Sequence, residues 1–109
     1  MNTLLAKKCR PLAAGTPPLT DGEIETLLRQ APGWAHTGGA ITKTFRFGNY
    51  YQTMAFANGV ALVAHGEDHH PEMTLSYDQC RIAFNTHSIG GISMNDFICA
   101  AKLEALAAI

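Results

Sequence analysis

The sequence predicts an α+β domain: a four-stranded antiparallel sheet with three helices packed on one face, in the order α-β-β-α-β-β-α. Three observations predict it. Two segments alternate apolar and polar residues across short turns, around Gly38-Gly39 and Asp78-Gln79. Three others carry apolar residues at helical spacing behind a capping residue, Thr20, Asn49 or Ser93. The two kinds of segment interleave, and helices that interleave with hairpins cover one face of an antiparallel sheet.

Residues 1–19 read as a flexible N-terminal arm. Lys7, Lys8 and Arg10 cluster there, and Pro11, Gly15, Pro17 and Pro18 deny it regular structure. The folded domain is then 20–109. Thr20 and Glu23 have capping-box spacing, so each can satisfy a free backbone N–H of the other. Ile24, Leu27, Leu28 and Ala31 follow as one buried stripe, and Pro32-Gly33 stops the helix. A short strand, Trp34 to Thr37, turns at Gly38-Gly39 into a longer one, Ala40 to Phe47. Ile41, Phe45 and Phe47 share one face of it; Thr42, Thr44 and Arg46 share the other.

Asn49 can cap a second helix reaching about Ala64 or beyond. Its apolar residues fall in two stripes, Tyr50/Met54/Ala57/Ala61 and Phe56/Val60/Val63. A helix apolar on two sides needs two partners, its own sheet and a second surface, which points to a homo-oligomer. Met73, Leu75 and Tyr77 then alternate with polar residues, as do Cys80, Ile82 and Phe84 after the turn. Continuing that period puts His87 on the side of Arg81, Ala83 and Asn85. Gly90-Gly91 turns the chain, and Ser93 caps a last helix to about Ala107 with Asp96 at its third position.

At 109 residues the chain is one domain, and an apolar share of 47% suffices for a core. A formal charge of −1 gives no footprint for nucleic acid or an anionic membrane. The longest purely apolar run, Val60 to Ala64, is too short to cross a bilayer, and Leu4-Leu5-Ala6 is too short for a signal-peptide core. Cys9, Cys80 and Cys99 are widely spaced and form no paired-ligand motif, which favours a reducing compartment. The expectation is a cytoplasmic protein.

The chemistry concentrates in His69-His70-Pro71, with Tyr77, His87 and Asp96 beyond. Histidine gives and takes protons near neutral pH, and a cluster of them without a nucleophile signature suggests acid/base work on a small molecule. His65 and His69 also have the spacing of a metal pair, with His87 or Asp96 as a third ligand, but Pro71 interrupts any helix there and the cysteines do not join them. No metal is expected. Asp96 has an ordinary reason to exist, because Ser-x-x-Asp is a common helix start. Trp34 serves either the core or a stacking surface for a flat ring.

These residues carry a resemblance. A polar residue, three residues, His-His-Pro, five residues, an aromatic, nine residues, His, then eight or more residues and Asp is the pattern of the pterin-4a-carbinolamine dehydratases. It is met by His65, His69-His70-Pro71, Tyr77, His87 and Asp96. Gly33-Trp34, Thr86-His87 and Gly91-Ile92-Ser93 extend the similarity over about residues 19–107. Many members carry a carboxylate where this chain has His65; Glu67 and Asp68 lie nearer the pair. That leaves open which group orients His69.

The resemblance implies dehydration of a 4a-hydroxytetrahydropterin to the quinonoid dihydropterin, recycling the cofactor of a pterin-dependent aromatic amino-acid hydroxylase. It implies His69 and His87 as the acid/base residues, and His70, Pro71, Trp34 and Thr86 as residues of the pterin site. Asp96 would support His87, with His65 also in a supporting role. It implies a homotetramer built as a pair of dimers, and no bound cofactor. Two readings stand beside it: a protein-binding module, such as a dimerisation cofactor for a transcription factor, using the second helix, and a small metal-binding protein resting on His65, His69 and His70.

Overall fold

A computed structural model describes residues 2–109. The elements are α1 (Asn2–Leu5), α2 (Asp21–Leu28), β1 (Ala35–Thr37), β2 (Ala40–Arg46), α3 (Tyr50–Glu67), β3 (Glu72–Leu75), β4 (Gln79–Phe84), a 3-10 turn (His87–Ile89) and α4 (Met94–Ala107). The sheet has four strands in the order β1-β2-β4-β3, every neighbouring pair antiparallel. This is the predicted α+β architecture, with one short helix more than expected.

The caps form as their residues dictate. Glu23 N–H donates to Thr20 Oγ1 (3.2 Å) and Thr20 N–H donates to Glu23 Oε1 (2.9 Å). Gln52 N–H donates to Asn49 Oδ1 (2.8 Å). Caps of this kind stabilise a helix by about 1 kcal/mol each. The element α2 ends at Leu28, short of Pro32-Gly33; single turns through Gln30 and Ala31 carry the chain to Trp34. The second hairpin turns at Tyr77-Asp78 instead of Asp78-Gln79: Ser76 N–H donates to Gln79 O (3.0 Å), so Gln79 already belongs to β4.

One sheet face builds the core. Ile41, Phe45, Cys80, Ile82 and Phe84 are buried there beneath Phe56 and Val60 of α3 and Phe97, Ala100 and Leu103 of α4. At the rim of that face Lys43 Nζ meets Glu104 Oε1 and Oε2 (2.8 and 2.7 Å), and Trp34 Nε1–H donates to Glu104 Oε2 (3.2 Å). α3 and α4 approach closely at Gly59, where a Cβ would stand 2.9 Å from a Leu106 methyl.

Two expectations are corrected. The segment expected to lack regular structure begins with α1, whose Leu4 is buried at 2% exposure in the core. Four apolar positions in Leu4, Leu5, Ala6 and Leu12 offer too much apolar surface for the segment to stay wholly solvated. The two stripes assigned to α3 are also redrawn. Phe56, Val60 and Ala57 all face inward with Thr53 and Ala64, and Val63 is half-buried. The apolar side chains of α3 left exposed include Tyr51 (82%), Ala55 and Leu62 (75%) on one face, with Tyr50 and Ala61 beside them. Helical wheels give spacing but not phase, and α4 sets the phase by where it packs.

Candidate active site

The site grows from the N-terminus of α4. Ser93 caps the helix, and Ser93 N–H donates to Asp96 Oδ2 (2.9 Å). The Asp96 side chain is fully buried. A buried carboxylate needs partners for both oxygens. Thr86 Oγ1–H donates to Oδ2 as well (2.9 Å), and Oδ1 lies 2.6 Å from His69 Nε2. Thr86 Oγ1 also lies 2.6 Å from Ser93 Oγ. Since the Thr86 proton goes to Asp96, the Ser93 hydroxyl donates to Thr86.

Chain geometry brings His69 there. The helix α3 ends at Glu67, and Asp68 takes a left-handed conformation (φ 51°) that ends the helix. His69 N–H returns to Ala64 O (3.1 Å). The imidazole stacks on Phe84 at 5.8 Å with planes 9° apart, and 12% of its side chain is exposed. With Asp96 accepting at Nε2, the proton of the neutral ring sits on Nε2, and Nδ1 is left as the nitrogen able to take or give a proton.

The sequence expectation paired Asp96 with His87. The structure pairs it with His69. The β-period that was extended to His87 breaks at Thr86, which bridges to Gly91 as the chain enters the 3-10 turn. His87 opens that turn and is exposed. Thr86 and Ser88, its two neighbours, line a cleft of about 320 Å³ together with His69, Glu67, Asn95 and the N-terminal segment at Cys9–Leu12.

His70 points elsewhere. It is exposed and lines a second cleft of about 300 Å³ over the sheet face opposite the helices, with Thr42, Glu72, Arg81 and Asn85. The half-buried Pro71 sets the turn between the pair and β3. Trp34 lies in the core at 6% exposure rather than at a cleft surface; its ring meets Phe84 at 6.1 Å, and Phe84 in turn meets His69.

His65 is exposed on the last turn of α3, and among the described residues no hydrogen bond ties its ring to Asp96 or His69. The helix ends before His69, so the two rings do not share a helical face. Of the two carboxylates that line the cleft, Glu67 and Asp68, Glu67 is the one tied to the N-terminal segment. It accepts from Cys9 N–H at 2.8 Å and faces Lys8 (3.7 Å) and Lys102 (3.9 Å). Burial opposes its charge, but the Cys9 N–H and the two lysines outweigh that and hold its pKa below the usual value. Sequence reasoning missed Glu67 as a structural tie because its partner lies fifty-eight residues away. Among the described residues no three His, Cys, Asp or Glu side chains converge as a metal-binding set. No described helix is long and apolar enough to cross a membrane.

An α+β domain that seats a buried carboxylate against the first histidine of a His-His-Pro turn defines the class. Residues 17–106 match the model of the family described as pterin 4 alpha carbinolamine dehydratase, and the chain belongs to that family. A protein of Nitrosospira multiformis named "Putative pterin-4-alpha-carbinolamine dehydratase" is 51% identical over 97% of this chain and 94% of its own. One of the same name from Nitrosomonas eutropha is 55% identical over 94% and 92%. Among solved structures, a transcriptional coactivator/pterin dehydratase from Brucella melitensis is similar with TM-score 0.79 and 34% identity, covering 83% of this chain and 98% of that one. A pterin dehydratase-like RuBisCO assembly factor of the alpha-carboxysome, at TM-score 0.57 and 24% identity, shares the fold; the alignment covers 68% of this chain and 86% of that one.

Proposed function

We propose that this protein dehydrates a 4a-hydroxytetrahydropterin to the quinonoid dihydropterin by histidine acid/base catalysis. The observation that carries the reading is the 2.6 Å contact between His69 Nε2 and a fully buried Asp96. A carboxylate tied down by Thr86 and Ser93 has one oxygen left, and it gives that oxygen to a histidine at the edge of a cleft. This arrangement fixes a ring and a tautomer while leaving Nδ1 for chemistry.

The reaction needs two proton movements. Hydroxide is a poor leaving group, so an acid protonates the 4a-oxygen, and a base takes the proton of the ring nitrogen as the C=N bond forms. A positioned imidazole contributes about 10²–10⁴-fold to such a step. His69 and His87 take these two roles in this proposal. Their chain neighbours support it, because Thr86, next to His87, donates to the carboxylate that holds His69. His70 contributes to holding the pterin from the cleft it lines with Arg81 and Asn85, and Pro71 shapes that site by setting the turn into β3. Trp34 acts through Phe84, which it packs against and on which His69 stacks. His65 belongs to the periphery of the site. The protein requires no metal or organic cofactor in this scheme and serves a pterin-dependent hydroxylase.

The uncovered Tyr51/Ala55/Leu62 face of α3 supports self-association into a pair of dimers. The same face is what a second reading, a protein-binding module, would use. The experiment that separates the two is a dehydration assay on a freshly generated 4a-carbinolamine. Acceleration by wild-type protein and its loss in His69→Ala support the enzyme. A wild-type rate equal to that of buffer overturns it.

A further inference from the structure

We propose that Cys9 and Cys99 are a modification site: a hydroperoxide closes them into a disulfide that clamps the N-terminal segment onto α4. Their sulfurs lie 3.5 Å apart although ninety positions separate them in the chain. Three hydrogen bonds to the main chain of Cys9 and Arg10 hold the segment in register beside α3 and α4. Cys9 N–H donates to Glu67 Oε1 (2.8 Å), Arg10 N–H donates to Asn95 Oδ1 (3.1 Å), and Asn95 Nδ2–H donates to Arg10 O (2.8 Å). Closing to a disulfide bond length of about 2.05 Å asks for a movement of roughly 1.5 Å.

The two thiols differ in access. Cys9 is half-buried and lines both the cleft of His69 and an adjoining groove, so a small oxidant reaches it. Cys99 is buried behind it. The hydrogen bond to Cys9 and burial push the Cys99 thiol up, which together with its burial leaves Cys9 as the sulfur an oxidant meets first. In the first step the Cys9 sulfur attacks a peroxide oxygen and the O–O bond breaks. The products are Cys9 sulfenic acid and, with the Cys9 proton, one water. The Cys99 sulfur then attacks the Cys9 sulfur and the S–O bond breaks. The departing hydroxide takes the Cys99 proton and leaves as a second water. Two thiols lose two electrons and one hydrogen peroxide gains them.

The clamp sits at a consequential place. Cys9 to Leu12 form one wall of the cleft that holds His69, and the bond makes that wall covalently part of α4.

The test treats the full-length protein with hydrogen peroxide and reads intact mass, peptide map and melting temperature. Wild type and Cys80→Ser should lose the mass of two hydrogens and regain it with dithiothreitol. Their digests should join the peptides of Cys9 and Cys99. Closing so long a loop should raise Tm by roughly 5 °C or more. Cys9→Ser and Cys99→Ala should show neither change. A sulfinic acid at Cys9, a bond between two chains, a pairing through Cys80, or a cross-link that leaves Tm unmoved overturns the proposal. None of these readouts uses turnover, so failure here leaves the dehydratase reading untouched.

Discussion

Asp96 Oδ1 stands 2.6 Å from His69 Nε2, so the first turn of α4 and the end of α3 meet at a single hydrogen bond. The same carboxylate completes the capping box of α4 through Ser93 N–H. One residue thus does a structural job with one oxygen and an orienting job with the other, and substitutions can separate the two.

Asp96→Asn should keep the cap and lose the chemistry. An amide can still accept from Ser93 N–H and Thr86, but it turns an N–H toward His69 and forces the ring proton onto Nδ1. We expect kcat to fall by about 10²–10⁴-fold with a melt close to wild type. Asp96→Ala should cost stability as well, by about 3 kcal/mol, because it strands Ser93 N–H, the Thr86 hydroxyl and His69 Nε2. Steady-state rates and denaturant melts decide; an unchanged kcat in Asp96→Asn sinks the orienting role.

The three histidines of the site should respond differently to alanine. His87 is exposed, so His87→Ala should lose turnover with stability within about 0.5 kcal/mol of wild type. His69→Ala should lose turnover and also about 1–3 kcal/mol, since it leaves a buried carboxylate oxygen without its partner. His70→Ala should mainly raise KM, as a contact made equally in ground and transition states does. A kcat loss in His70→Ala at constant KM would move that residue into the acid/base pair.

Acid should loosen the N-terminal segment through Glu67. Its folded pKa lies below the ordinary value of 4.5, so its contribution to stability is present above that value and is lost as pH falls through the folded pKa. The denaturant midpoint of wild type should therefore drop on the acid side of about pH 4.5, and Glu67→Gln should flatten that limb. Equal acid limbs for the two proteins would exclude Glu67 as their source.

On α3, Leu62→Glu and Val60→Glu should part company. Leu62 is 75% exposed and Val60 is fully buried. Charge at Leu62 should weaken self-association while the chain stays folded; charge at Val60 should unfold it. Light scattering and circular dichroism on both variants give the answer. A wild-type monomer at micromolar concentration would remove the oligomer from the proposal.

Local chemistry made much of the fold legible. Thr20 with Glu23 and Ser93 with Asp96 are complete capping boxes within four residues of sequence, and the alternation of Cys80, Ile82 and Phe84 marks a half-buried strand without any knowledge of its neighbours. The register of β2 against β4 and the end of α2 were less legible. A stop at Pro32 is the latest that sequence permits, and the helix gives way to single turns after Leu28.

By itself the sequence determined the α+β order of elements from α2 to α4 and singled out the residues proposed here to carry chemistry, because periodicity, caps and turn residues act over a few positions. Only the tertiary structure decided which of those residues meet. It gave Asp96 to His69, turned His70 toward a different cleft, withdrew Trp34 into the core, and set Cys9 against Cys99. Each of these depends on where a left-handed residue at Asp68, a bridge at Thr86 and the packing of α4 carry the chain in space. Spacing along a sequence fixes neither direction nor distance across such breaks.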